Sequence, residues 1–332
     1  MSRFFEWGKV KGGLVKIREE VKELRKMWGA FWSARVILTA NNLRVFDQLK
    51  TPKSASDISN LIKTDARATE ILLDSLTGLG LLRKSKNRYR NSPMTDRLLV
   101  SGTPYYQGDI LRHADNLWTN WSNLDEIIKT GQPARQSFEA DAFIRGMHNV
   151  AVMKAKEVIN AIDLTAVRKA LDLGGGPGTY SMEMAKKIDS VTLFDLPTTI
   201  TIAKDIMGKT RIKNISFIEG DFVTDDIGRR YDLVFISQVL HSFSGATNLK
   251  ILQKAFNALN PKGMIVIHEF LLEKDRTSPV QGTLFSVNML VNTYGGRCYS
   301  VPEIKGWLSS LGLRKVGHVK LEDSVLVFGR KG

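Results

Sequence analysis

Apolar residues recur at helical spacing through the first hundred residues of this chain, which predicts a helical N-terminal domain. Within the first thirty residues, Val15, Val21 and Leu24 stand among many Lys, Arg and Glu residues. This pattern predicts an amphipathic helix with its apolar residues on one face. We expect that face to pack against the rest of the protein, and binding to a membrane surface is the alternative.

Shorter helices are expected next, over residues 34–49, 55–62 and 66–79. Ser54 precedes the second of these helices and belongs to the residue types that cap helix N-termini. Gly80 follows the third helix and can end it, because glycine tolerates the left-handed backbone that often terminates helices.

Two short β segments, 81–84 and 88–91, follow these helices and flank a polar tripeptide, which predicts a hairpin. Helices followed by a hairpin resemble a winged helix, a unit that often binds DNA through its recognition helix. The candidate recognition helix here carries three acidic residues and one arginine, so its exposed face is poorly charged for phosphates. We therefore expect a winged-helix-like domain that serves another purpose.

The pattern stays helical from about residue 105 to residue 163 and changes near residue 168. Short apolar runs then alternate with helical segments, which indicates β-α-β units and a parallel sheet with helices on both faces. The predicted parallel strands are residues 170–173, 191–194, 215–218, 233–236 and 264–270.

The C-terminal segments 314–321 and 324–329 predict an antiparallel hairpin at one edge of that sheet. The fold class is therefore α/β, with a helical winged-helix-like domain at residues 1–105. A helical linker at 106–165 and a sheet domain at 166–332 complete the predicted organisation.

The composition is that of an ordinary globular protein, with 332 residues, 43% hydrophobic and 25% charged. It excludes a disulfide mini-protein, a collagen-like fibre and a fully disordered chain. The single Cys298 excludes an intrachain disulfide and any multi-thiolate metal site, so a reducing, cytoplasmic setting fits best. We also expect no membrane span, because no apolar run reaches the length of about 18 residues that a membrane helix needs. We expect no export, because residues 1–13 lack the apolar core of a signal peptide.

The formal charge of +14 would attract polyanions, anionic lipid surfaces or acidic small molecules. The excess is dispersed through the sequence rather than concentrated in one tract. It therefore favours a solvated surface over a nucleic-acid or lipid partner.

A glycine-rich run, DLGGGPGT at residues 172–179, lies directly after a predicted strand and before a helix. Glycines at such a place let backbone amides approach a ligand and allow dihedral angles that other residues resist. A dinucleotide fingerprint starting at Gly174 would need its third glycine at position 179, whereas the sequence has it at Gly178. The spacing G-x-G-x-G therefore argues against NAD.

Acidic residues lie at the carboxyl ends of three successive predicted strands, namely Asp172, Asp195 and Asp221. Asp195 follows the glycine run by about twenty residues, where a carboxylate can accept both hydroxyls of a ribose. Asp221 can receive an adenine amino group while Phe222 packs on the ring. Because the carboxyl ends of parallel strands meet in one crevice, these residues predict an adenosine ligand. The alternative is that the carboxylates only cap helices or complete turns.

With these motifs, the sequence resembles the S-adenosylmethionine-dependent methyltransferases of the plant-type small-molecule O-methyltransferase family, which includes bacterial natural-product enzymes. The resemblance covers nearly the whole chain. It is carried by residues 118–124 before Thr130-Gly131, and by 172–176, 194–197, 220–222, 239–241, 268–269 and 295–296.

The resemblance implies a Rossmann-like methyltransferase sheet, S-adenosylmethionine as the cofactor, and a homodimer formed through the N-terminal domain. It also implies a set of cofactor-binding residues on the loops after the strands. They are Gly174, Gly176, Gly178, Asp195, Leu196, Gly220, Asp221, Phe222, Ser237 and Gln238.

Methyl transfer from a sulfonium is an in-line displacement, so the acceptor must be aligned and any blocking proton removed. His241, just beyond the fourth parallel strand, occupies the position of the family's general base. Glu269 lies on the next strand and is expected to hydrogen-bond the imidazole and fix its tautomer. The neighbouring His268 should face the opposite side of that strand, where we expect a structural role.

The acceptor pocket is expected to include Phe143 and Met147 from the linker and Met289 and Thr293 before the paired glycines. Apolar, polarizable walls suit a flat aromatic substrate, and core packing is the alternative for each residue. The sequence shows no metal site, because its acids and histidines lack the spacing of metal ligands.

Two departures from the family's pattern affect the expected mechanism. The usual His-Asp-Trp appears here as His241-Ser242-Phe243, and Arg297-Cys298 stands where many members have a second glutamate. A single carboxylate then remains to orient the base, which leaves methylation of a nitrogen or carbon open beside methylation of a hydroxyl. Cys298 is expected to pack as a neutral thiol rather than attack the substrate.

Two functions outside this class also stay open at this point. A nucleic-acid methyltransferase is suggested by the basic charge, although residues 237–240 lack the Asn/Asp-Pro-Pro-Tyr/Phe motif of enzymes that methylate base amines. A non-catalytic regulator that senses S-adenosylmethionine is the other.

Overall fold

The structure, a computed structural model, describes residues 3–134, 139–208 and 210–332, with side chains from Val15 onward. The chain divides into two compact units, Met1–Arg112 and His113–Gly332. Among the described residues, none of the helices combines the length and the apolar character that crossing a bilayer requires.

The first unit is helical and carries a small antiparallel sheet, as the sequence predicts. Its helices are α1 Arg3–Asn42, α2 Val45–Gln48, α3 Ala55–Ile62, α4 Ala66–Gly78 and α5 Pro93–Leu98, and α6 Gly108–Trp121 begins within it. Its two strands are β1 Leu82–Ser85 and β2 Arg88–Asn91.

Local signals set the bounds of the middle elements. Ser54 accepts a hydrogen bond from the backbone N–H of Asp57 at 3.1 Å, and the Asp57 carboxylate accepts one from the N–H of Ser54 at 2.9 Å. This capping box starts α3 at the predicted residue. Lys86 and Asn87 have φ values of 45° and 58°, as a two-residue hairpin turn between right-twisted strands requires.

The helix predicted over residues 34–49 is broken in two. Helix α1 ends at Asn42, Arg44 takes a left-handed backbone with φ 54°, and α2 starts at Val45. The turn allows Val45 and Phe46 to enter the core of this unit, where they are fully buried. Periodicity did not reveal the break, because both halves keep apolar residues at helical spacing.

The helix predicted for the first thirty residues is confirmed from Arg3 onward, but three of its apolar residues are exposed. Val15, Val21 and Leu24 have exposed fractions of 60%, 43% and 61%. The expected packing of this face against the rest of the protein is therefore wrong for these three residues.

The second unit holds a seven-stranded sheet. Its strands are β3 Lys169–Leu173, β4 Ser190–Asp195, β5 Ile215–Glu219, β6 Tyr231–Ser237, β7 Leu259–Phe270, β8 Arg314–Lys320 and β9 Ser324–Arg330. Its helices after α6 are α7 Leu124–Thr130, α8 Ala140–Asn160, α9 Thr179–Ala185, α10 Pro197–Met207, α11 Gly245–Ala258, α12 Val280–Asn292 and α13 Val301–Ser310. A single 3-10 turn, Leu240–Ser242, follows β6.

The strand order is β5-β4-β3-β6-β7-β9-β8, with the first five strands parallel and β9 antiparallel to both of its neighbours. The five predicted parallel strands and the C-terminal hairpin are confirmed. The chain proceeds outward from β3 to β5 and then returns to the other side of β3 with β6. This reversal leaves a crevice beyond the carboxyl ends of β3, β4 and β6, where ligands of such sheets bind.

Alternate residues of β7 serve opposite faces of the sheet. Ile265 and Ile267 belong to one hydrophobic cluster, whereas Met264 and Val266 belong to the other. Glu269 continues the first set and His268 the second, so the two side chains lie on opposite faces, as predicted.

Candidate active site

The glycine loop joins β3 to α9 and holds three residues in left-handed backbone. The φ values of Gly174, Gly176 and Gly178 are 72°, 54° and 73°, which residues with a Cβ resist. A Cβ on Gly176 would meet nothing within 4 Å, whereas one on Gly178 would clash with Met207 and lie 2.9 Å from Cδ1 of Leu193. Gly176 therefore faces open space, and Gly178 permits close packing at the start of α9.

Asp195, at the end of β4, lies against this loop. Its Oδ2 accepts the backbone N–H of Gly176 at 2.8 Å, and its Oδ1 accepts that of the exposed Leu196 at 2.7 Å. Burial raises the pKa of this carboxyl, although both backbone hydrogen bonds act in the opposite direction. Each oxygen retains a further lone pair, so the carboxylate can also accept ribose hydroxyls beside the open face of Gly176.

The aromatic ring of Phe222, in the turn after β5, also lies close to the loop. A Cβ on Gly174 would sit 3.3 Å from Cε1 of Phe222. The half-buried ring also packs 6.5 Å from the ring of Phe194, measured between centroids. Phe222 therefore offers an aromatic surface next to the glycines, as an adenine ring requires.

Gly220 and Asp221 shape the same turn. Gly220 donates its N–H to the backbone oxygen of Asp195 at 3.1 Å, which fixes the turn to the end of β4. Asp221 is exposed, and its Oδ1 accepts the N–H of Val223 at 2.8 Å. The open side of Gly176, the Asp195 carboxylate and the Phe222 ring together fit an adenosine-containing cofactor.

The buried His268 is hydrogen-bonded to the last residue of β6 and to the residue after it. The hydroxyl oxygen of Ser237 lies 2.9 Å from Nδ1 of His268, and the N–H of Gln238 donates to the backbone oxygen of His268 at 2.8 Å. The other ring nitrogen lies 3.0 Å from the hydroxyl of Ser324. Burial lowers the pKa of His268 to about 4, so the ring is neutral at pH 7. These contacts give His268 the structural role expected for it.

His241 and Glu269 form a buried pair on the opposite face. Nδ1 of His241 lies 2.7 Å from Oε2 of Glu269, and Oε1 accepts the backbone N–H of His241 at 3.3 Å. An ionised carboxylate can only accept hydrogen bonds, so Nδ1 carries the hydrogen and Nε2 keeps its lone pair. Nε2 has no hydrogen-bond partner among the described residues, so the ring can accept a proton there.

Two phenylalanines that sequence reasoning missed surround this imidazole. The ring of Phe285, on α12, meets the His241 ring edge-on with 5.0 Å between centroids, and Phe270 lies 5.9 Å away. The two phenyl rings are 4.0 Å apart. Phe270 directly follows Glu269, and this adjacency is the one signal that could have indicated it. The rings give the histidine apolar surroundings.

Met289 and Thr293 lie one turn apart near the end of α12. Met289 is buried, with 7% of its surface exposed. The Thr293 hydroxyl donates to the backbone oxygen of Met289 at 2.7 Å and accepts the N–H of Gly296 at 2.9 Å. Its first role is thus to close the end of the helix.

Phe143 and Met147 lie one turn apart on α8, and both are half-buried. The Phe143 ring meets the ring of His113, with 5.0 Å between centroids. On the same helix, Nδ1 of His148 lies 2.8 Å from the hydroxyl of Thr179, the first residue of α9. This contact, which the sequence did not indicate, ties α8 to the glycine loop.

Polar side chains also connect α6 with α12. Nε1 of Trp121 donates to Oδ1 of Asn288 at 3.0 Å, and the Asn120 amide donates to Oδ1 of Asn292 at 2.8 Å. Asn288 and Asn292 stand four residues apart on one face, a signal that sequence reasoning passed over.

Asp172 lies inside β3 rather than in the crevice. It is fully buried, and its Oδ2 accepts the Ser181 hydroxyl at 2.6 Å, while Oδ1 has no partner among the described residues. Burial raises the pKa of this carboxyl to about 7. The residue therefore binds the start of α9 to the sheet.

Cys298 is buried, and burial raises the pKa of its thiol to about 11, so the thiol is neutral at pH 7. Arg297 lies 2.7 Å from the Glu303 carboxylate and 4.3 Å from the centroid of the Tyr299 ring. The arginine is therefore held by other partners, which agrees with the packing role expected for the thiol. Among the described residues no group of acids, histidines and cysteine has the arrangement of a metal site.

Comparisons with known proteins agree over both units. Residues 127–314 match the family model of the O-methyltransferase domain, and residues 26–101 match that of the O-methyltransferase dimerisation domain. A 3-hydroxy-5-methyl-1-naphthoate 3-O-methyltransferase from Streptomyces sahachiroi is 30% identical, covering 87% of this chain and 88% of the relative. An acetylserotonin O-methyltransferase from Gallus gallus is also 30% identical, covering 91% and 94%.

Solved structures show the same likeness. The crystal structure of human N-acetylserotonin methyltransferase with S-adenosylmethionine matches 94% of this chain and 98% of its own, with TM-score 0.86 and 26% identity. An O-methyltransferase family protein from Burkholderia thailandensis matches 94% and 98%, with TM-score 0.84 and 25% identity.

Proposed function

Because the chain belongs to the O-methyltransferase family, we propose that His241 is the base with which this enzyme prepares an acceptor hydroxyl for methylation. The protein is an S-adenosylmethionine-dependent O-methyltransferase of small molecules and forms a homodimer. Of the functions that the sequence left open, the family favours methylation of a small-molecule hydroxyl over nucleic-acid methylation, nitrogen or carbon methylation, and cofactor sensing.

The proposed cofactor site lies at the carboxyl ends of β3 to β6. Asp195 accepts the ribose hydroxyls, and Phe222 packs on the adenine while Asp221 accepts its amino group. The glycine loop admits the methionine part at the open face of Gly176. The remaining proposed contacts come from Gly174, Gly178, Leu196, Gly220, Ser237 and Gln238.

When bound, S-adenosylmethionine supplies a methyl group that its sulfonium has already activated. The protein then has to orient the acceptor and remove its proton. Nε2 of His241 takes that proton, and the Nδ1–H remains hydrogen-bonded to Glu269, whose negative charge stabilises the imidazolium. Because the pair is buried, the interaction is stronger than it would be in water.

The proposed acceptor is a flat aromatic compound that carries a hydroxyl. Phe270 and Phe285 beside His241 offer ring surfaces for it. The proposed lining residues remain Phe143, Met147, Met289 and Thr293. The hydroxyl of Thr293 is held in place by its hydrogen bonds at the end of α12. The names of two relatives give a hydroxynaphthoate and acetylserotonin as acceptors, which supports the same class here.

The proposed organisation assigns dimerisation to residues 1–105, acceptor binding to 106–165 and cofactor binding to 166–332. The dimerisation model, over residues 26–101, supports the first part, whereas the methyltransferase model, over residues 127–314, spans parts of both others. We place the reaction in the cytoplasm, because a single buried thiol without a disulfide suits a reducing compartment.

One observation carries the proposed base, namely the 2.7 Å contact that leaves Nε2 of His241 as the proton acceptor. The test incubates the protein with methyl-labelled S-adenosylmethionine and an extract of its host, and mass spectrometry identifies the labelled product. We expect a methyl ether on an aromatic ring. A product labelled on nitrogen or carbon would overturn the assignment of a hydroxyl acceptor.

A further inference from the structure

An apolar stripe runs along the exposed part of α1. Its members are separated by four, three, four and three residues, which is the heptad spacing of a two-stranded coiled coil. We name it the α1 seam; it consists of Ile17, Val21, Leu24, Trp28 and Phe31.

The described part of the chain leaves the α1 seam largely exposed. Ile17 is 55% exposed, Leu24 61% and Trp28 54%, although side chains of these types are usually buried. The next two positions of this spacing are Arg35 and Leu38, and Leu38 is buried in the first unit. The helix is thus anchored at its C-terminal end, and the seam lies on the exposed part of the helix that precedes this anchor.

The charges that flank the seam are unevenly distributed. With Val21 and Trp28 at the a positions, Arg18 and Arg25 occupy e positions and Glu20 occupies a g position. In a parallel pair of helices, g of one chain faces the next e of the other, so Glu20 would face Arg25 of a second copy. In an antiparallel pair e faces e, which would bring arginines together. The charges therefore favour the parallel orientation.

The seam is continuous with the dimerisation domain. That family model begins at residue 26, so Trp28 and Phe31 lie within it. Ile17, Val21 and Leu24 precede it and continue the same stripe toward the N-terminus. A partner chain that covers the part of the seam within the dimerisation domain is therefore expected to cover the part that precedes it.

We propose that the α1 seam pairs with the seam of a second copy of this chain as a parallel two-stranded coiled coil. The pairing lengthens the dimer interface beyond the dimerisation domain of the family. The inference rests on the homodimer and on α1, and it is independent of the base assigned to methyl transfer.

Cysteine cross-linking in the full-length protein tests the pairing. Ile17→Cys and Leu24→Cys are each expected to give a disulfide-linked dimer on mild oxidation, because d positions face each other in a parallel pair. Glu19→Cys, on the outer face of the helix, is the matched control and should stay monomeric on a denaturing gel. The native Cys298 is 2% exposed, so the unmodified chain should not cross-link. Cross-linking at neither position, or at only one, would overturn the parallel pairing.

A second measurement addresses the strength of the dimer by analytical ultracentrifugation. Leu24→Glu is expected to raise the dimer dissociation constant by about tenfold or more, because it removes an apolar contact from both chains. Lys26→Glu, on the outer face, should leave that constant within about twofold. Circular dichroism checks that both variants stay folded. An unchanged dissociation constant for Leu24→Glu would contradict the proposal.

Charge exchange gives a third readout. Glu20→Lys alone should weaken the dimer about fourfold, and adding Arg25→Glu should restore it, because the exchange rebuilds both interchain pairs. Phosphatidylglycerol-containing vesicles test a lipid surface as the alternative occupant. Vesicle binding that is lost in Leu24→Glu, together with absent cross-linking, would assign the seam to a membrane instead.

Discussion

Glu269 holds His241 at two points, through the imidazole Nδ1 at 2.7 Å and through the backbone N–H at 3.3 Å. One carboxylate thus fixes both the ring and the turn that carries it. This double contact explains how a single acid can orient the proposed base.

Replacing His241 with Ala should lower kcat by about 10²- to 10⁴-fold, the usual contribution of a general base. Affinity for S-adenosylhomocysteine, measured by calorimetry, should change less than about threefold, because the proposed cofactor contacts come from other loops. His318→Ala is the control, since His318 lies exposed on β8. Turnover that survives in His241→Ala with the same acceptor would show that another group removes the proton.

Glu269→Gln keeps the shape of the side chain but removes the charge that stabilises an imidazolium. We expect kcat to fall about 10²-fold or more, while the KM for the cofactor stays near that of the unmodified enzyme. Because the two residues act as a unit, the double variant with His241→Ala should be no slower than His241→Ala alone. Glu273→Gln, an exposed carboxylate 2.7 Å from Lys320, is the matched control. Fully additive losses would argue against the pair.

Asp195→Ala should raise the Kd for S-adenosylhomocysteine about 10- to 100-fold, as expected when a hydrogen bond to a charged group is lost. The change also frees the N–H of Gly176, so the glycine loop loses an anchor. Calorimetry measures the effect, with Asp189→Ala as an exposed acidic control. An unchanged Kd would remove Asp195 from the cofactor site.

The two glycines of the loop should respond differently to alanine. Gly178→Ala should lower the free energy of unfolding by about 2 kcal/mol or more, because the added methyl group meets Met207 and Leu193. Gly176→Ala has open space, so its cost should be the backbone term of about 1 kcal/mol. The methyl group would then lie in the cofactor crevice and raise the Kd of the cofactor. Urea unfolding and calorimetry separate the two effects, and equal behaviour of the two variants would contradict these roles.

The buried carboxyl of Asp172 should make stability depend on pH. Its pKa is raised from 3.8 to about 7, so between these values the folded protein holds a proton that the unfolded chain has lost. The free energy of unfolding therefore falls as pH rises through this window. Asp172→Asn should remove this pH dependence. At pH 8 the free energy of unfolding of the variant should exceed that of the unmodified protein by on the order of 4 kcal/mol at most, and at pH 4 the variant should show no such gain.

Urea unfolding at pH 4, 6 and 8 measures this difference, with the exposed Asp226→Asn as the control. His268, with its pKa lowered to about 4, contributes a slope of opposite sign below pH 6.5 in both proteins. The comparison between variants therefore isolates Asp172. Parallel stability curves would show that this carboxyl does not titrate in the window.

Several parts of the fold follow from short stretches of sequence. Helix α3 begins where the sequence predicts, because Ser54 and Asp57 cap its first turn, and it ends at the predicted residue, where Lys63 takes a left-handed backbone. The parallel strands follow from short runs of apolar residues, which are typical of strands buried on both faces of a sheet. The glycine loop follows from a run of residues that can adopt a left-handed backbone, and the positive φ values of Gly174 and Gly176 confirm this conformation.

The break before Arg44 and the exposed face of α1 were not visible in the sequence. Each depends on whether a distant segment covers an apolar residue of the helix. The helical periodicity of the sequence is the same whether that residue is covered or exposed. The Phe285 ring beside His241 was missed for a related reason, because α12 reaches that place only through tertiary packing.

The sequence by itself determined the fold class, the order of the elements and the residue types at the ends of the strands. The tertiary structure decided which of these residues meet. The parallel register that pairs Ser237 with His268 brings the turn after β6 beside Glu269, 28 residues away in the chain from His241. Alternation along β7 then sends Glu269 to that side and His268 to the other. Local sequence encodes backbone preference and burial, but contact between distant side chains depends on strand register and helix packing, which form only in the folded chain.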